Sequence, residues 1–230
     1  DDFIRTTELR HVQVVQRILQ ELYDRGEIYR AEYDGFYCLP CERFFTERDL
    51  VEGACPECRR PVERIREINY FFRMSKYQEW LIQYIQDHPR FILPEYRRNE
   101  TLGFLRQKLN DLCISRPKSR LSWGIELPFD RDYVTYVWFD ALVNYISAVG
   151  YGYDALAFQK WWPASCQLIG KDILTTHTVY WTTMLQAMGV AQPETIFAHG
   201  WGLGGDTKMG KSLGNVVSPM AFADQYGVEA

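Results

Sequence analysis

The chain has 230 residues, of which 47% are apolar and 15% aromatic, and its formal net charge at pH 7 is −4. This composition supports a sizeable core in one large or two small domains. The acidic balance argues against nucleic-acid binding through bulk positive charge, although a local basic patch stays possible. There is no apolar run of 18 residues and no signal-peptide pattern at the N-terminus, so we predict no membrane association. The sequence starts without methionine and stops inside a predicted helix, so we expect a segment of a longer, cytoplasmic protein.

The first predicted element is an amphipathic helix over residues 7–25, capped by Gly26. Its apolar residues recur at three- and four-residue spacing: Val12, Val15, Leu19 and Leu22. Two strand-like runs, 28–33 and 35–38, then flank Asp34-Gly35, a dipeptide typical of hairpin turns. After a cysteine-rich segment, we predict short strands over 62–66 and 69–73 and helices over 75–87 and 99–109.

Four of the six cysteines form two C-x2-C pairs separated by thirteen residues: Cys38, Cys41, Cys55 and Cys58. Each pair can make a tight turn that points two thiolates at one ion, and two turns complete a closed tetrahedral site. We therefore predict a structural zinc ion, since four thiolates leave no open position for catalysis. Zinc would supply folding free energy of order 10 kcal/mol. The alternative is a knuckle of reduced thiols or disulfides.

The second half follows a strand–loop–helix–strand order that is typical of a parallel α/β sheet. Strands are predicted over 135–139, 167–169 and 195–198, with helices over 140–149, 173–188 and from Pro219 onward, and Gly189 ending the middle helix. In such sheets ligands bind at the carboxyl ends of strands. Gly170-Lys171-Asp172 and a glycine-rich loop with Lys208 and Lys211 follow two of these strands.

Helical spacing brings together residues that suit an uncharged, polarizable side chain such as a thioether. Ile173, His177 and Trp181 share one helix face, and Ala141 and Tyr145 share another, with Trp138 just upstream. The alternative is that these are ordinary core faces. The two lysines of the later loop suit a polyanion such as a triphosphate, whereas an isolated K-x-x-K is more often a solvated turn.

Taken together, these stretches resemble methionyl-tRNA synthetases. Lys208-Met-Gly-Lys-Ser212 is similar to the lysine signature loop of class I aminoacyl-tRNA synthetases. Ile114-Ser-Arg-Pro-Lys-Ser119, Tyr136-Val-Trp-Phe-Asp-Ala141 and Ile169-Gly-Lys-Asp-Ile173 resemble the methionine enzymes specifically. The resemblance covers essentially the whole chain.

The resemblance implies ATP-dependent activation of methionine, with Mg²⁺, and its transfer to tRNA(Met). The methionine pocket would be formed by Trp138, Ala141, Tyr145, Ile173, His177 and Trp181. ATP would be bound by Gly170, Lys171, Asp172, Lys208 and Lys211, the last two as catalytic residues. The implied fold is α/β, a Rossmann-like parallel-sheet catalytic half with an inserted zinc-knuckle connective domain. Its boundaries would be 1–25 and 113–200 for the catalytic part, 26–112 for the connective domain and 201–230 for the lysine loop and the helical region after it.

Three departures from the family pattern stand out. No H-x-G-H sequence is present, so we expect the isolated chain to be inactive. Gly210 replaces the usual serine of the lysine loop, and Leu142 replaces a proline found in some members. The insert before Ile114 is too short for the editing domain of the leucine, isoleucine and valine enzymes. Two other readings stay open: a different class I synthetase, and a non-catalytic zinc-ribbon module that binds through Arg59, Arg60, Arg64 and Arg66.

Overall fold

The architecture is that of a computed structural model, which describes residues 2–41, 43–45, 47, 50–56, 58–135, 138–204, 207–209 and 216–228, with backbone alone at 41, 43, 44, 203, 204, 207 and 208. The helices are α1 (Leu9–Asp24), α2 (Gln78–Asp87), α3 (Glu95–Phe104), α4 (Trp138–Ser147), α5 (Ala155–Trp161), α6 (Thr182–Met188) and α7 (Pro219–Tyr226). The strands are β1 (Ile28–Cys38), β2 (Arg43–Phe45), β3 (Glu63–Phe72), β4 (Ile92–Leu93), β5 (Leu112–Cys113), β6 (Ser115–Pro117), β7 (Ile125–Leu127), β8 (Asp130–Thr135), β9 (Gln167–Gly170), β10 (Ile196–His199), β11 (Leu203–Gly204) and β12 (Thr207–Lys208).

Helix α1 confirms the first predicted element to within two residues at its N-terminus and one at its C-terminus. Its apolar stripe lies in the core: Val14, Val15, Ile18, Leu19 and Leu22. Gly26 follows with φ of +71°, the left-handed conformation that ends many helices and favours glycine. The stripe also contains a residue that the apolar pattern did not anticipate, His11, whose Nδ1 lies 2.8 Å from the Ser147 hydroxyl of α4.

His11 makes the stability of the chain depend on pH. The imidazole is fully buried, and burial lowers its pKa to about 4, against a weaker opposing effect of Glu8. Between pH 6.5 and 4 the unfolded chain binds a proton that the folded chain excludes, so this contribution is present above pH 6.5 and is lost as pH falls. We expect about 3 kcal/mol of unfolding free energy to disappear over that range. Denaturant titrations of the wild type and a His11→Gln variant at pH 7 and pH 4.5 measure it. Equal losses in both proteins would contradict the assignment.

Strands β1 and β3 form a long antiparallel ribbon, which corrects two predictions. The hairpin at Asp34-Gly35 is wrong, because both residues lie inside β1, opposite Arg66 and Ile65 of β3. The two short strands predicted over 62–66 and 69–73 are likewise one strand. The turn dipeptide is overridden because Asp34 forms an ion pair with Arg64 across the ribbon, at 3.1 Å. At Gly35 the place of a side chain is filled by the Tyr33 ring. Strands β2 and β5 extend this sheet at its two edges.

The strand predicted over 135–139 is also wrong. Strand β8 ends at Thr135 and lies between β6 and β7 in an antiparallel sheet, where the Thr135 hydroxyl donates to the Ile114 carbonyl at 2.7 Å. Residues 136 and 137 are outside the described ranges, and Trp138 and Phe139 already belong to α4. A short apolar run does not distinguish a strand from a buried helical turn by its periodicity.

The parallel sheet has the order β4-β10-β9. Strands β9 and β10 confirm the runs predicted over 167–169 and 195–198, and Ile196, Phe197, Ala198 and His199 pair with Gln167 to Gly170 in register. Strand β4 was not predicted, because it has only two residues. The helix predicted over 173–188 is present as a short 3-10 turn (Lys171–Ile173), a π-helical turn (Thr176–Trp181) and α6, and it ends at Gly189 with φ of +71°.

A helix was predicted over 99–109, whereas α3 begins four residues earlier, at Glu95, and ends five residues earlier, at Phe104. It starts directly after Pro94, whose fixed φ suits a helix start. It ends at Phe104 because the Gln78 side chain takes over the backbone groups that follow, donating to the carbonyls of Leu105 and Gln107 and accepting from the Leu109 N–H. This side chain satisfies those groups without a further helical turn.

Helix α7 ends at Tyr226, with Gly227 after it at φ of +87°, whereas the sequence suggested a helix running from Pro219 to the end of the chain. Residues 229 and 230 are outside the described ranges. None of the helices in the described ranges has the length and apolar character needed to span a bilayer.

Candidate active site

The carboxyl ends of β9 and β10 lie side by side, with Gly170 directly opposite His199. After Gly170 the chain turns sharply, and the Asp172 carboxylate folds back until Oδ1 lies 2.6 Å from where a Cβ at Gly170 would be. A larger residue at 170 would displace the carboxylate. The Lys171 ammonium lies 3.6 Å from the centre of the Trp201 ring, just beyond β10. The ends of the two parallel strands thus bring together a carboxylate, a cation and an indole.

Behind this edge, α4 and the π-helical turn bring three predicted pocket residues into contact. The Tyr145 hydroxyl lies 2.8 Å from His177 Nε2, and the Tyr145 ring lies 5.6 Å from the imidazole and 6.0 Å from the Trp181 indole. His177 Nδ1 lies 2.9 Å from the Ile173 carbonyl. Since a carbonyl only accepts, Nδ1 carries the proton and Nε2 accepts from Tyr145. Burial lowers the pKa of His177, partly offset by the Ile173 carbonyl, and this favours a neutral imidazole.

The other predicted pocket residues occupy the same elements. Ala141 lies one turn before Tyr145 on α4 and Trp138 two turns before it, both half-buried. Ile173 is half-buried at the end of the 3-10 turn, one turn before His177. Their spacing along the helices therefore places these side chains on the same helix faces as Tyr145 and His177.

Two residues beside this site were not among the predicted site residues. Trp162 is buried, lies 6.2 Å from Trp181 in an edge-to-face contact, and donates its indole N–H to the Ala191 carbonyl at 2.9 Å. It precedes β9 in a loop, where no periodicity marks it. Asp140 is buried in the first turn of α4, and burial raises its pKa to about 7, against the opposing backbone N–H of Ala141. A buried carboxyl in an apolar motif was a signal that could have identified it.

The cysteine segment brings three thiols together. The sulfur atoms of Cys38, Cys55 and Cys58 lie within 4.8 Å of one another, with 3.4 Å between those of Cys38 and Cys58. This separation is well beyond the length of a disulfide bond, which is about 2 Å. Sulfur atoms around a tetrahedral zinc ion are about 3.8 Å apart, so the three thiols suit such an ion. The side chain of Cys41 lies outside the described residues.

Tight backbone turns hold this arrangement. Gly53 has φ of +77° and Arg59 of +61°, conformations that reverse the chain around Cys55. The Cys55 N–H donates to the Arg60 carbonyl at 3.0 Å, and the Arg59 N–H to the Cys55 carbonyl at 2.9 Å.

The arginines of the alternative binding module are partly neutralised, because Arg64 and Arg66 form ion pairs with Asp34 and Glu32. This pairing weakens the case for a basic stripe along the ribbon.

The glycine-rich loop after β10 turns back on itself through β11 and β12, with Leu203 paired to Lys208. The Met209 N–H donates to the Gly202 carbonyl at 2.9 Å, which ties the loop to the end of β10. The side chain of Lys208 and the whole of Gly210 and Lys211 lie outside the described residues. The backbone at Lys208 thus returns to the segment that directly follows β10.

Known proteins match this chain over its whole length. The family model of class I tRNA synthetases (M) matches residues 1–68 and 60–230. The methionine–tRNA ligase of Clostridium perfringens is 53% identical over 232 residues, which cover 100% of this chain and 36% of that protein. That of Thermotoga maritima is 45% identical over 231 residues, covering 99% of this chain and 36% of the relative. The chain thus spans little more than a third of the length of these relatives.

Solved structures agree. The methionyl-tRNA synthetase of Mycobacterium tuberculosis bound by methionyl-adenylate superposes with a TM-score of 0.90 at 41% identity, over 100% of this chain and 46% of that one. The apo form of that enzyme gives a TM-score of 0.83 at 38% identity, over 100% and 45% of the two chains. The mixed α/β structure with its parallel sheet is thus a class I synthetase fold, and the chain belongs to the class I tRNA synthetase (M) family.

Proposed function

We propose that the chain is the part of a methionine–tRNA ligase that recognises the methionine side chain and part of ATP. The observation that carries this proposal is the hydrogen-bonded pair of Tyr145 and His177 beside the Trp181 indole. A neutral imidazole, a phenol and an indole offer polarizable surface without charge. A thioether sulfur packs favourably beside such rings, whereas a charged side chain would lose its hydration. Trp138, Ala141 and Ile173 complete the proposed pocket.

The proposed reaction joins two substrates without a protein nucleophile. A carboxylate oxygen of methionine attacks the α-phosphorus of ATP, the bond to the bridging oxygen breaks, and pyrophosphate leaves with methionyl-adenylate formed. A hydroxyl of the terminal adenosine of tRNA(Met) then attacks the methionyl carbonyl, the bond to the phosphate breaks, and AMP leaves. The residues of this chain act by positioning and by charge. Gly170, Lys171 and Asp172 would bind ATP, whose phosphates also bind Mg²⁺.

Zinc is the structural ion that the cysteines suit. Cys38, Cys55 and Cys58 would hold it, with Cys41 as the fourth ligand from the first C-x2-C turn. Four thiolates close the coordination sphere, so the ion would stabilise the knuckle and take no part in the reaction. We place the knuckle in a connective domain spanning 26–112, between catalytic parts at 1–25 and 113–200, with the lysine loop in 201–230.

Loss of the second lysine of the loop, Lys211, is expected to slow methionine activation strongly. Lys208 and Lys211 are proposed to stabilise the charge that develops on the triphosphate as pyrophosphate leaves. Removing one such stabilising group commonly raises a barrier by about 3 kcal/mol, so Lys211→Ala should slow methionine activation by about a hundredfold. Methionine affinity should change little. Single-turnover adenylate formation measures both quantities, and a loss confined to methionine affinity would contradict the role.

The proposal is tested by amino-acid-dependent exchange of pyrophosphate into ATP. Because the chain covers about a third of its relatives, we would insert it in place of the matching 232 residues of the Clostridium perfringens enzyme. Methionine, leucine, isoleucine and valine are compared side by side, with the isolated chain as a control. We expect exchange with methionine alone in the chimera and none in the isolated chain. Exchange with another amino acid would instead support a different class I synthetase.

A further inference from the structure

The π-helical turn at Thr176–Trp181 carries two pocket residues, His177 near its start and Trp181 at its end. Such turns hold an extra residue relative to an α-helix, are rare, and occur often at functional sites. We propose that Thr182 is a positioning residue whose hydroxyl fixes this wide turn and so sets the imidazole and the indole against Tyr145. The inference rests on the methionine-activating function proposed above.

Thr182 is held on both sides. Its hydroxyl donates to the His177 carbonyl at 3.1 Å, five residues back, which is the spacing of a π-helix. Its own carbonyl accepts from the Gln192 amide at 3.0 Å. The residue is fully buried, so water does not compete for either bond. Thr182 follows Trp181 directly, and its hydroxyl bonds to the backbone of His177. It therefore connects the two ends of the π-helical turn.

The neighbouring threonine hydroxyls make a different kind of bond. Thr178 donates to the Leu174 carbonyl at 2.9 Å and Thr183 to the Val179 carbonyl at 2.8 Å, both four residues back. The Thr178 hydroxyl also lies 3.1 Å from that of Thr101, and the Thr183 hydroxyl lies 2.9 Å from the Tyr180 carbonyl. Bonds to the carbonyl four residues back are compatible with an ordinary α-helix. The Thr182 bond spans one residue more and is suited to the wide turn. Loss of the Thr178 hydroxyl is therefore a matched control.

Relaxation of the wide turn would disturb the pocket. The wide turn accommodates one extra residue, so tightening it to α-helical geometry would rotate one end against the other by about 100°, the rotation of one α-helical residue. The 2.8 Å hydrogen bond from Tyr145 to His177 and the 6.0 Å ring separation between Tyr145 and Trp181 would not both survive that rotation. The bound position of methionine depends on these contacts, whereas the ATP-binding turn at Gly170 precedes the π-helical segment.

The test compares Thr182→Val, Thr182→Ser and Thr178→Val in the chimera described above. We expect Thr182→Val to raise the KM for methionine about tenfold with the KM for ATP nearly unchanged. Thr182→Ser, which keeps the hydroxyl, should restore the wild-type KM, and Thr178→Val should not raise it. Equal rises in both KM values, or a Thr182→Ser variant with a raised methionine KM, would overturn the proposal, and the second outcome applies even if Thr182→Val does not fold.

A second measurement separates this inference from the proposed function. In the chain itself, ¹⁵N spectra of the His177 ring report the Nδ1–H tautomer and the bond from Tyr145 to Nε2. Thr182→Val should change these signals, whereas Thr178→Val should preserve them. Unchanged His177 signals in Thr182→Val would overturn the positioning role. A chimera that does not activate methionine would overturn the proposed function alone.

Discussion

Replacing Cys55 with serine is expected to abolish stoichiometric zinc binding and to unfold the cysteine knuckle. Serine at pH 7 offers a neutral hydroxyl where the ion needs a thiolate, so the tetrahedral site would lose one of its ligands. The segment has little else to hold it: Cys38 and Cys55 are buried, whereas most described residues between 50 and 61 are exposed or half-buried. Zinc-finger peptides obtain about 10 kcal/mol from their metal. A comparable dependence would make this one of the two largest effects that we expect in the chain.

Metal analysis after gel filtration measures the stoichiometry, and the matched control is Cys166→Ser. Cys166 is an exposed free thiol outside the cluster, so its loss should leave one zinc ion per chain. Thermal unfolding of both variants then separates the knuckle from the rest of the fold. One zinc ion per chain in Cys55→Ser would contradict the ligand assignment. Loss of zinc from both variants would point to nonspecific thiol binding instead.

Elements with a long, regular pattern were predictable from the sequence. Helix α1 repeats its apolar positions over four turns, and β10 is bounded by turn residues, so one signal dominates each of them. The hairpin prediction failed because a non-local interaction overrode a local one. At Asp34-Gly35 the local turn preference competed with a ribbon of ten residue pairs, and the long-range pairing prevailed. Such pairing depends on β3, some thirty residues away, which no local window contains.

The candidate site divides in a similar way. Tyr145 and His177 lie on two different helices, yet each could be assigned to a helix face by its spacing from neighbours on the same helix. Trp162 could not, because it reaches Trp181 from a loop that precedes β9. The π-helical turn was likewise beyond prediction, since no sequence pattern indicates that the Thr182 hydroxyl bonds back over five residues rather than four. Spacing thus predicts what one helix presents, but not what a loop or an irregular turn adds.

Replacing Trp181 with alanine should weaken methionine binding by about 3 kcal/mol, or more than a hundredfold, while ATP binding changes little. The indole is fully buried between Tyr145 at 6.0 Å and Trp162 at 6.2 Å, so its removal opens a large cavity beside the proposed thioether site. Truncation of a buried tryptophan also commonly costs 3–5 kcal/mol of fold stability, so the variant should unfold at a lower temperature than the wild type. Loss of the indole would also remove one wall of the proposed pocket formed with Tyr145 and His177.

The measurement is the KM for methionine and for ATP in the chimera, together with the thermal unfolding midpoint. The matched control is Trp161→Ala, because the Trp161 side chain is 60% exposed and lies outside the pocket. This control should leave both KM values unchanged, since an exposed side chain contributes little to the core. Equal losses for methionine and ATP in Trp181→Ala would indicate a general folding defect. A selective loss for methionine would instead place the indole at the amino-acid side chain, because only that substrate is proposed to occupy the space between Tyr145, His177 and Trp181.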